Sequence, residues 1–437
     1  MDASAERFRE TARELAARFA PRAARWDTNR EYCWENVREL SDAGLTGMTI
    51  PESLGGAGTS FYEAVLVIEE IAKACTLSAR IVVESNMGAI SAIMAYGTDE
   101  QKQLCAPLVL AGDKPAICIT EPDAGSAATE MATTARRTRS GYVLNGTKHW
   151  ITGGGISRVH LIFARVLDEQ GSPQGIGGFI VVCDPSKDEF PPGFEVVRRE
   201  RTMGLCGMPE AELRFTDLEV DDAFVLVPPS GFRRGFADLM NAYNSQRVGA
   251  GTIALGVAAG ALEHAMRYLQ ERQQFGRPIA EFQGLQWMLA DMDTNVHAAR
   301  LLLHEAARSR GPGGSEFPDM TMAARAKLFA SEMAIGVVSD ALQLFGARGF
   351  GDQEPIERMY RDVRMFTIGG GTAQILRTQL AGSLLGMRTP QTRDGYLRLH
   401  SRPADGAAPD AETQHRTSAD GEVELAPHNG ARVASPR

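Results

Sequence analysis

The sequence predicts an α+β fold laid out in three consecutive blocks: helical, then β, then helical. Three observations carry that prediction. Up to about Leu110, and again after position 229, apolar residues recur every three or four places, the period of amphipathic helices. Between about Pro115 and Val227 that period gives way to short β-rich runs punctuated by Gly, Pro, Asp and Asn. No GxGxxG follows a strand, so an alternating dinucleotide-binding fold is not supported.

Each element is justified in turn. FYEAVLVIEEIAKAC and QKQLCAPLVLAG are amphipathic helices of an N-terminal helical domain, residues 1–114. GYVLNG, HLIFARV, GGFIVVCD and AELRFTDLEV are strands of a compact antiparallel middle domain, residues 115–228. The helical period returns in a C-terminal helix bundle, residues 229–388, ending with GTAQILRTQLAGSLLG. Its uncharged run VGAGTIALGVAAGAL, 248–262, is too short to span a bilayer and reads as a buried helix packed closely on its neighbours. Residues 389–437 hold few large apolar side chains, and a disordered tail is expected there.

Composition excludes several classes. A formal charge of −9 argues against a nucleic-acid partner, which calls for a concentrated basic face. The six cysteines show no CxxC spacing, so neither a disulfide framework nor a metal site is expected. With no apolar leader in MDASAERFRE, a cytoplasmic protein with no membrane partner is expected, acting on a small molecule.

Several segments carry chemistry. ICITEPDAGSAATEM places Thr120, Ser126 and free backbone amides around a Pro/Gly turn that could cradle a ring edge or a thioester carbonyl. LNGTKHWITGGG puts Trp150 and Thr152 two apart on one side of a strand, an aromatic beside a hydroxyl, although a core tryptophan is the commoner reading. ERQQFGRPIAEFQGLQ sets Arg272 and Phe275 at helical spacing before a turn, where the cation could meet a pyrophosphate. SARIVVESNMGAISAIMAYG, 78–97, is apolar except for Arg80 and Glu84, which share one helical face. They are either a plain i,i+4 ion pair or a guanidinium awaiting an anion. Arginine offers a fixed fork of donors to two oxygens, which lysine does not.

ITEPDAGS, GTKHWITGG, RQQFGRPI, ALQLFGARGFG and GGTAQI occur here in the order and spacing of the acyl-CoA dehydrogenase superfamily, and residues 5–388 resemble it. The resemblance implies its fold: an N-terminal helical domain, a middle β-barrel and a C-terminal four-helix bundle. It also implies FAD. On this resemblance Thr120, Ser126, Trp150 and Thr152 surround the isoalloxazine, and Arg272 and Phe275 meet the pyrophosphate and adenosine. Gln343 and Gly346 reach the FAD of a neighbouring subunit, with Thr372 and Gln374 near the same cofactor. A homotetramer, a dimer of dimers, follows. A CoA thioester is the implied substrate, with Ser126, Asn244 and Arg247 assigned to it.

The resemblance also exposes a deficiency. Family dehydrogenases carry a glutamate just before the Gly-Thr of TIGGGTAQIL, and it removes the α-proton; here that position is Gly370. A minority place the base just before the helix arginine of NSQRVGAG, which here is Gln246. A positioned general base contributes roughly 10²- to 10⁴-fold, so ordinary α,β-dehydrogenation is not expected.

Glycine and glutamine at both base positions, with Arg80 in the acyl-end helix, are similar to the 3-sulfinopropionyl-CoA desulfinase subgroup, as are LAGDKPAICI, HWITGGG, EFQGLQWMLADM and TPQTRDGY. That subgroup keeps FAD but cleaves a carbon–sulfur bond, giving propionyl-CoA and sulfite. Arg80 would then hold the sulfinate, and an electron-transferring flavoprotein is needed only if net oxidation occurs. Two alternatives stand beside it. One is a dehydrogenase with Glu84 as relocated base, acting on a short, cyclic or dicarboxylic acyl-CoA; the other is a flavin-loaded scaffold that only binds CoA esters.

Overall fold

In the computed structural model, residues 3–311 and 315–387 are described. The tail expected over 389–437, and TPQTRDGY with it, lies outside them. Seven helices come first: α1 (Ala3–Phe19), α2 (Ala23–Asn29), α3 (Trp34–Asp42), α4 (Phe61–Ala72), α5 (Thr76–Asn86), α6 (Ala89–Tyr96) and α7 (Asp99–Leu110). Local chemistry sets their starts. Ser60 Oγ accepts the Glu63 amide while the Glu63 carboxylate accepts the Ser60 amide, and Thr98 and Gln101 repeat the arrangement at α7.

Eight strands follow: β1 (Ala116–Cys118), β2 (Thr134–Arg137), β3 (Gly141–Thr152), β4 (Val159–Leu167), β5 (Pro173–Val182), β6 (Phe194–Arg199), β7 (Glu210–Asp221) and β8 (Val225–Leu226). They form one sheet in the order β6-β7-β3-β2-β4-β5-β8, with β1 added beside β4, folded around a core that includes Leu144, Ile162, Phe179, Leu213 and Phe215. The sheet is not wholly antiparallel as expected: β4 runs parallel to both β1 and β2. The chain returns to β4 only after β3 has paired antiparallel with β2, so β4 enters on the other flank of β2 in its direction.

The bundle holds α8 (Gly231–Glu271), a short hairpin of β9 (Gln273–Gln274) and β10 (Arg277–Pro278), α9 (Gln283–Arg308), α10 (Met320–Phe345), α11 (Ala347–Phe350), α12 (Ile356–Val363) and α13 (Ala373–Leu385). By length and composition α8 and α10 could each cross a bilayer, although the uncharged run 248–262 alone is too short. Burial explains α8: 89% of its apolar window is inside the fold. Every residue from 248 to 262 is buried, and small side chains let the axis approach α4 and the turn after it. A Cβ on Gly256 would stand 2.5 Å from Ala72 Cβ, and one on Gly260 would stand 2.4 Å from the Lys73 carbonyl oxygen.

That contact predicts the sign of a substitution. Gly260→Ala gains about 1 kcal/mol of helix propensity, but forcing a methyl against backbone costs about 1–3 kcal/mol. A net loss of stability is expected in denaturant melts; a gain would show that the helices are not in close contact there.

Candidate active site

The i,i+4 spacing on α5 brings Arg80 Nε to 2.7 Å from Glu84 Oε1. The other Glu84 oxygen binds Lys114 Nζ, which also donates to the Thr152 carbonyl at 3.1 Å. With a cation on each oxygen, Glu84 is the counter-charge of a buried pair of bases rather than a free acceptor, which weighs against the relocated-base alternative. Arg80 reaches further: Nη2 donates to Thr152 Oγ1 at 3.2 Å, and that hydroxyl donates to Glu210 at 2.8 Å. Burial works to neutralise Arg80, but Glu84 and Glu210 outweigh it and hold its pKa above the ordinary value.

The strongly buried middle of α8 supplies the facing wall. Arg247 Nη1 donates to Asn244 Oδ1 at 2.9 Å, while its Nε has no hydrogen-bond partner among the described residues. No carboxylate pairs with it there, and burial lowers its pKa. Gln246 is 2% exposed, and its Oε1 is likewise unpartnered. From α10, fully buried Lys327 donates from Nζ to the Gly371 carbonyl at 2.7 Å. Burial, then Arg247 and Arg80, push its pKa down to about 7.

Gly370 and Gly371, both in left-handed backbone, make the turn into α13. A Cβ on Gly370 would lie 3.8 Å from Lys327 Cε and 3.9 Å from Ala250 Cβ, ordinary contact distances. Arg80, Lys114, Arg247 and Lys327 therefore share this region, among the described residues, with Glu84 and Glu210, and on the Lys114 side with Asp113, whose oxygens already accept the Arg158 and Val159 amides. Buried cations without partners are costly, and an anionic ligand would offset that cost.

Sequence reasoning selected Arg80, Glu84, Asn244, Gln246, Arg247 and Gly370, and the structure gathers them. It missed Lys114, Glu210 and Lys327. Lys327 left a trace, a lone charge on the face of α10 shared by Ala323, Ala330 and Ala334. Glu210 left none, because it reaches the site only as the register partner of Thr152 across β3 and β7.

The residues expected around a flat cofactor form two further groups. Thr120 is tied to the Trp150 strand, its carbonyl accepting the His149 amide at 2.9 Å. The loop carrying exposed Ser126 is anchored by buried Glu121, which binds Lys148 Nζ at 2.7 Å and the Thr133 amide at 3.0 Å. Burial raises the Glu121 pKa, but Lys148 and these donors bring it below the usual value. Simple strand alternation does not describe Trp150 and Thr152, because the ladder slips between Lys148 and Ile151. Trp150 takes φ 60°, stacks on His149 at 4.9 Å and stays 52% exposed, an indole face held open at some backbone strain. Thr152 turns its hydroxyl to Arg80 and Glu210, so β3 and α5 meet there.

The second group lies at the far end of α8 and α10, except Thr372 and Gln374, which follow the Gly370–Gly371 turn. Arg272 and Phe275 are not helical: α8 stops at Glu271, and the hairpin turns at Phe275 and Gly276, both with positive φ. The positive φ of Gly276 is what allows so tight a turn. Phe275 is 91% exposed. Exposed Gln343 and Gly346 end α10, whose Phe345 stacks on Tyr268 of α8 at 4.2 Å, bringing the two helix ends together. Thr372 caps α13 by accepting the Ile375 amide at 3.2 Å, and with Gln374 lines a shallow groove beside Ile335 and Arg364. His149, Glu200 and Glu212 bring their ligand atoms within 4.8 Å of one another, but Arg198 binds both carboxylates, at 2.7 and 2.6 Å, and supplies the positive charge a metal would bring.

This architecture is that of a CoA-ester flavoenzyme fold, and sequence models agree. The acyl-CoA dehydrogenase N-terminal domain matches residues 2–113, its middle domain 116–218 and its C-terminal domain 233–385, so the chain belongs to the acyl-CoA dehydrogenase family. Among curated proteins it is 60% identical to a 3-sulfinopropanoyl-CoA desulfinase of Variovorax paradoxus, over 90% of this chain and 96% of that one. A protein of the same name from Cupriavidus necator is 59% identical, over 88% and 96%. A glutaryl-CoA dehydrogenase of Mycobacterium smegmatis, solved in complex with FADH2, superposes with a TM-score of 0.80 at 26% identity, over 89% of this chain and 96% of that one.

The depressed Lys327 pKa has a measurable consequence. Above its unfolded value of 10.5 the amine is neutral in both states; as pH falls toward about 7 only the unfolded chain takes up the proton, and folding is progressively disfavoured. The stability of the protein relative to Lys327→Met should therefore rise with pH between about 7 and 10.5 in chemical-denaturation curves. A flat difference would mean that Lys327 is not desolvated.

Proposed function

We propose that this protein is an FAD-dependent desulfinase that converts 3-sulfinopropionyl-CoA to propionyl-CoA and sulfite. The observation that carries the reading is the buried surplus of cations around Arg80, beside a Gly370 turn that presents no carboxylate. An apolar acyl tail would leave those cations unanswered; a sulfinate answers them. The relatives named as desulfinases support the choice of anion.

The residues present fit FAD: an exposed indole on a strained strand, a hydroxyl-bearing loop beside it, and a basic, glycine-turned end on the bundle. When bound, FAD would supply a flat, electron-accepting ring to the site. The chain's own groups do the rest. Arg80, held by Glu84 and Thr152, grips the sulfinate oxygens and draws electron density from sulfur. Arg247 and Asn244 orient the thioester arm, and Gln246, whose unpartnered Oε1 is free to accept a hydrogen bond, holds a water.

Water oxygen adds to sulfur, the carbon–sulfur bond breaks with its electron pair on carbon, that carbon takes a proton, and hydrogen sulfite leaves. Carbon gains the electrons sulfur loses. The reaction is redox-neutral and needs no electron-transferring flavoprotein. Without a base at Gly370 or Gln246, and with Glu84 held by two cations, α-proton abstraction has no acceptor at any position expected of the family.

We assign the protein to the cytoplasm, in keeping with six cysteines that are all free thiols. We also assign a homotetramer, which would cover the exposed Met266, Trp287, Leu301 and Phe350 of the bundle.

Two experiments test this reading. Purified protein should release sulfite stoichiometrically with propionyl-CoA and should leave its flavin unbleached when mixed anaerobically with butyryl-CoA; bleaching would establish a dehydrogenase instead. Arg80→Lys keeps the charge but cannot meet Glu84, Thr152 and the anion together. It should retain FAD and lose about 10- to 100-fold in turnover, the worth of one charge-assisted hydrogen bond or slightly more. Near-normal activity would remove Arg80 from the reaction.

A further inference from the structure

Glu210 has an arrangement that the desulfinase reading does not require. It opens β7 directly opposite Thr152 of β3, and the Thr152 hydroxyl lies 2.8 and 3.0 Å from its two oxygens. The same hydroxyl accepts from Arg80 Nη2 at 3.2 Å. A threonine hydroxyl has one hydrogen to give. Giving it to Glu210 turns the oxygen lone pairs toward Arg80, so the carboxyl fixes the direction in which the guanidinium is held. Among the described residues no basic side chain pairs directly with Glu210, whereas Glu84 has two.

We propose that Glu210 is a positioning residue for the anion-binding guanidinium: through Thr152 it orients Arg80, and its own charge state sets how strongly the pocket holds an anionic acyl tail. The groups facing it are Arg80 and Glu84 from α5, Lys114 from the turn before β1, Thr152 from β3 and Tyr243 from α8. Burial, against the pull of Arg80, raises its pKa to about 7. Below that pH the neutral carboxyl still accepts the Thr152 hydrogen bond and adds no negative charge. Above it the carboxylate competes with the ligand for Arg80. The proposal rests on the reading of Arg80 as an anion site, but not on which anion is turned over.

The test measures binding rather than turnover. Holoenzyme is titrated calorimetrically with succinyl-CoA, whose tail carries a carboxylate, and with butyryl-CoA, whose tail carries none, at pH 6 and pH 8. For wild type, succinyl-CoA affinity should fall about 3- to 10-fold from pH 6 to pH 8, as expected for one added charge near the tail, and butyryl-CoA should hardly move. Glu210→Gln keeps an acceptor for Thr152 but does not titrate; it should match wild type at pH 6 and show a smaller step.

Glu210→Ala removes the acceptor, and at pH 6 it should weaken succinyl-CoA about 10-fold while leaving butyryl-CoA within about 2-fold, a hydrogen-bond-sized effect confined to the tail. Lys327 titrates in the same range and belongs to the same set of cations, so the decisive comparison is made in a Lys327→Met background, where a step should remain and adding Glu210→Gln should remove it. The proposal is overturned if Glu210→Gln leaves the step unchanged in that background, if Lys327→Met alone abolishes it, or if Glu210→Ala leaves both ligands unchanged or weakens both alike. Absence of sulfite release would sink the desulfinase reading and leave these binding results standing.

Discussion

The site depends on an imbalance of buried charge. Four basic side chains converge where α5, the β3–β7 edge, α8 and α10 meet, and among the described residues Glu84 and Glu210 answer them, with Asp113 beside Lys114 already engaged by two backbone amides. Desolvating a cation costs several kcal/mol unless partners are supplied, and proteins keep such an arrangement where a ligand completes it. Glu84 holds Arg80 and Lys114 together; Arg247 is left with an amide and a tyrosine ring, and Lys327 with a backbone carbonyl. On the proposed reading the pocket is organised for an anion before the anion arrives.

Rigid elements make that preorganisation possible. Arg247 and Gln246 lie on the stretch of α8 buried on nearly every side, where glycines let α4 and the turn after it come within backbone contact. Arg80 stands on α5, almost entirely buried, and Thr152 and Glu210 are locked as ladder partners. None of these side chains depends on a loop for its direction. The opposite holds for the exposed groups at Ser126, Phe275 and Gly346, which sit on turns at the surface. The catalytic centre is built into the core, whereas the surfaces expected to meet the long cofactor are left open.

On the proposed reading, Gly370 is the residue that redirects the fold. Its left-handed backbone and the open space around its missing Cβ mean that the turn itself does not demand chemistry there. What fills the neighbourhood is Lys327, so on the proposed reading the position expected to carry a proton acceptor is here flanked by a cation. In the proposed desulfinase such a site would hold and polarise an anionic substituent rather than withdraw a proton from carbon.

How much of this was written in the sequence can be read from particular residues. The helical, β, helical order was legible because periods of 3.6 and 2 report burial directly. The Arg80–Glu84 pair was legible because i,i+4 spacing is local geometry, and the lack of a carboxylate at 370 and 246 is plain in the letters. The parallel pairing of β4, the bulge that re-aims Trp150 and the hairpin at Phe275 were not, since they arise from strand register and from φ angles that single residues do not announce. Sequence by itself determined which groups this protein has and lacks. Tertiary structure alone decided that Lys114, Glu210 and Lys327 share a desolvated space with Arg80, because burial and cross-strand register belong to the folded chain and to no segment of it.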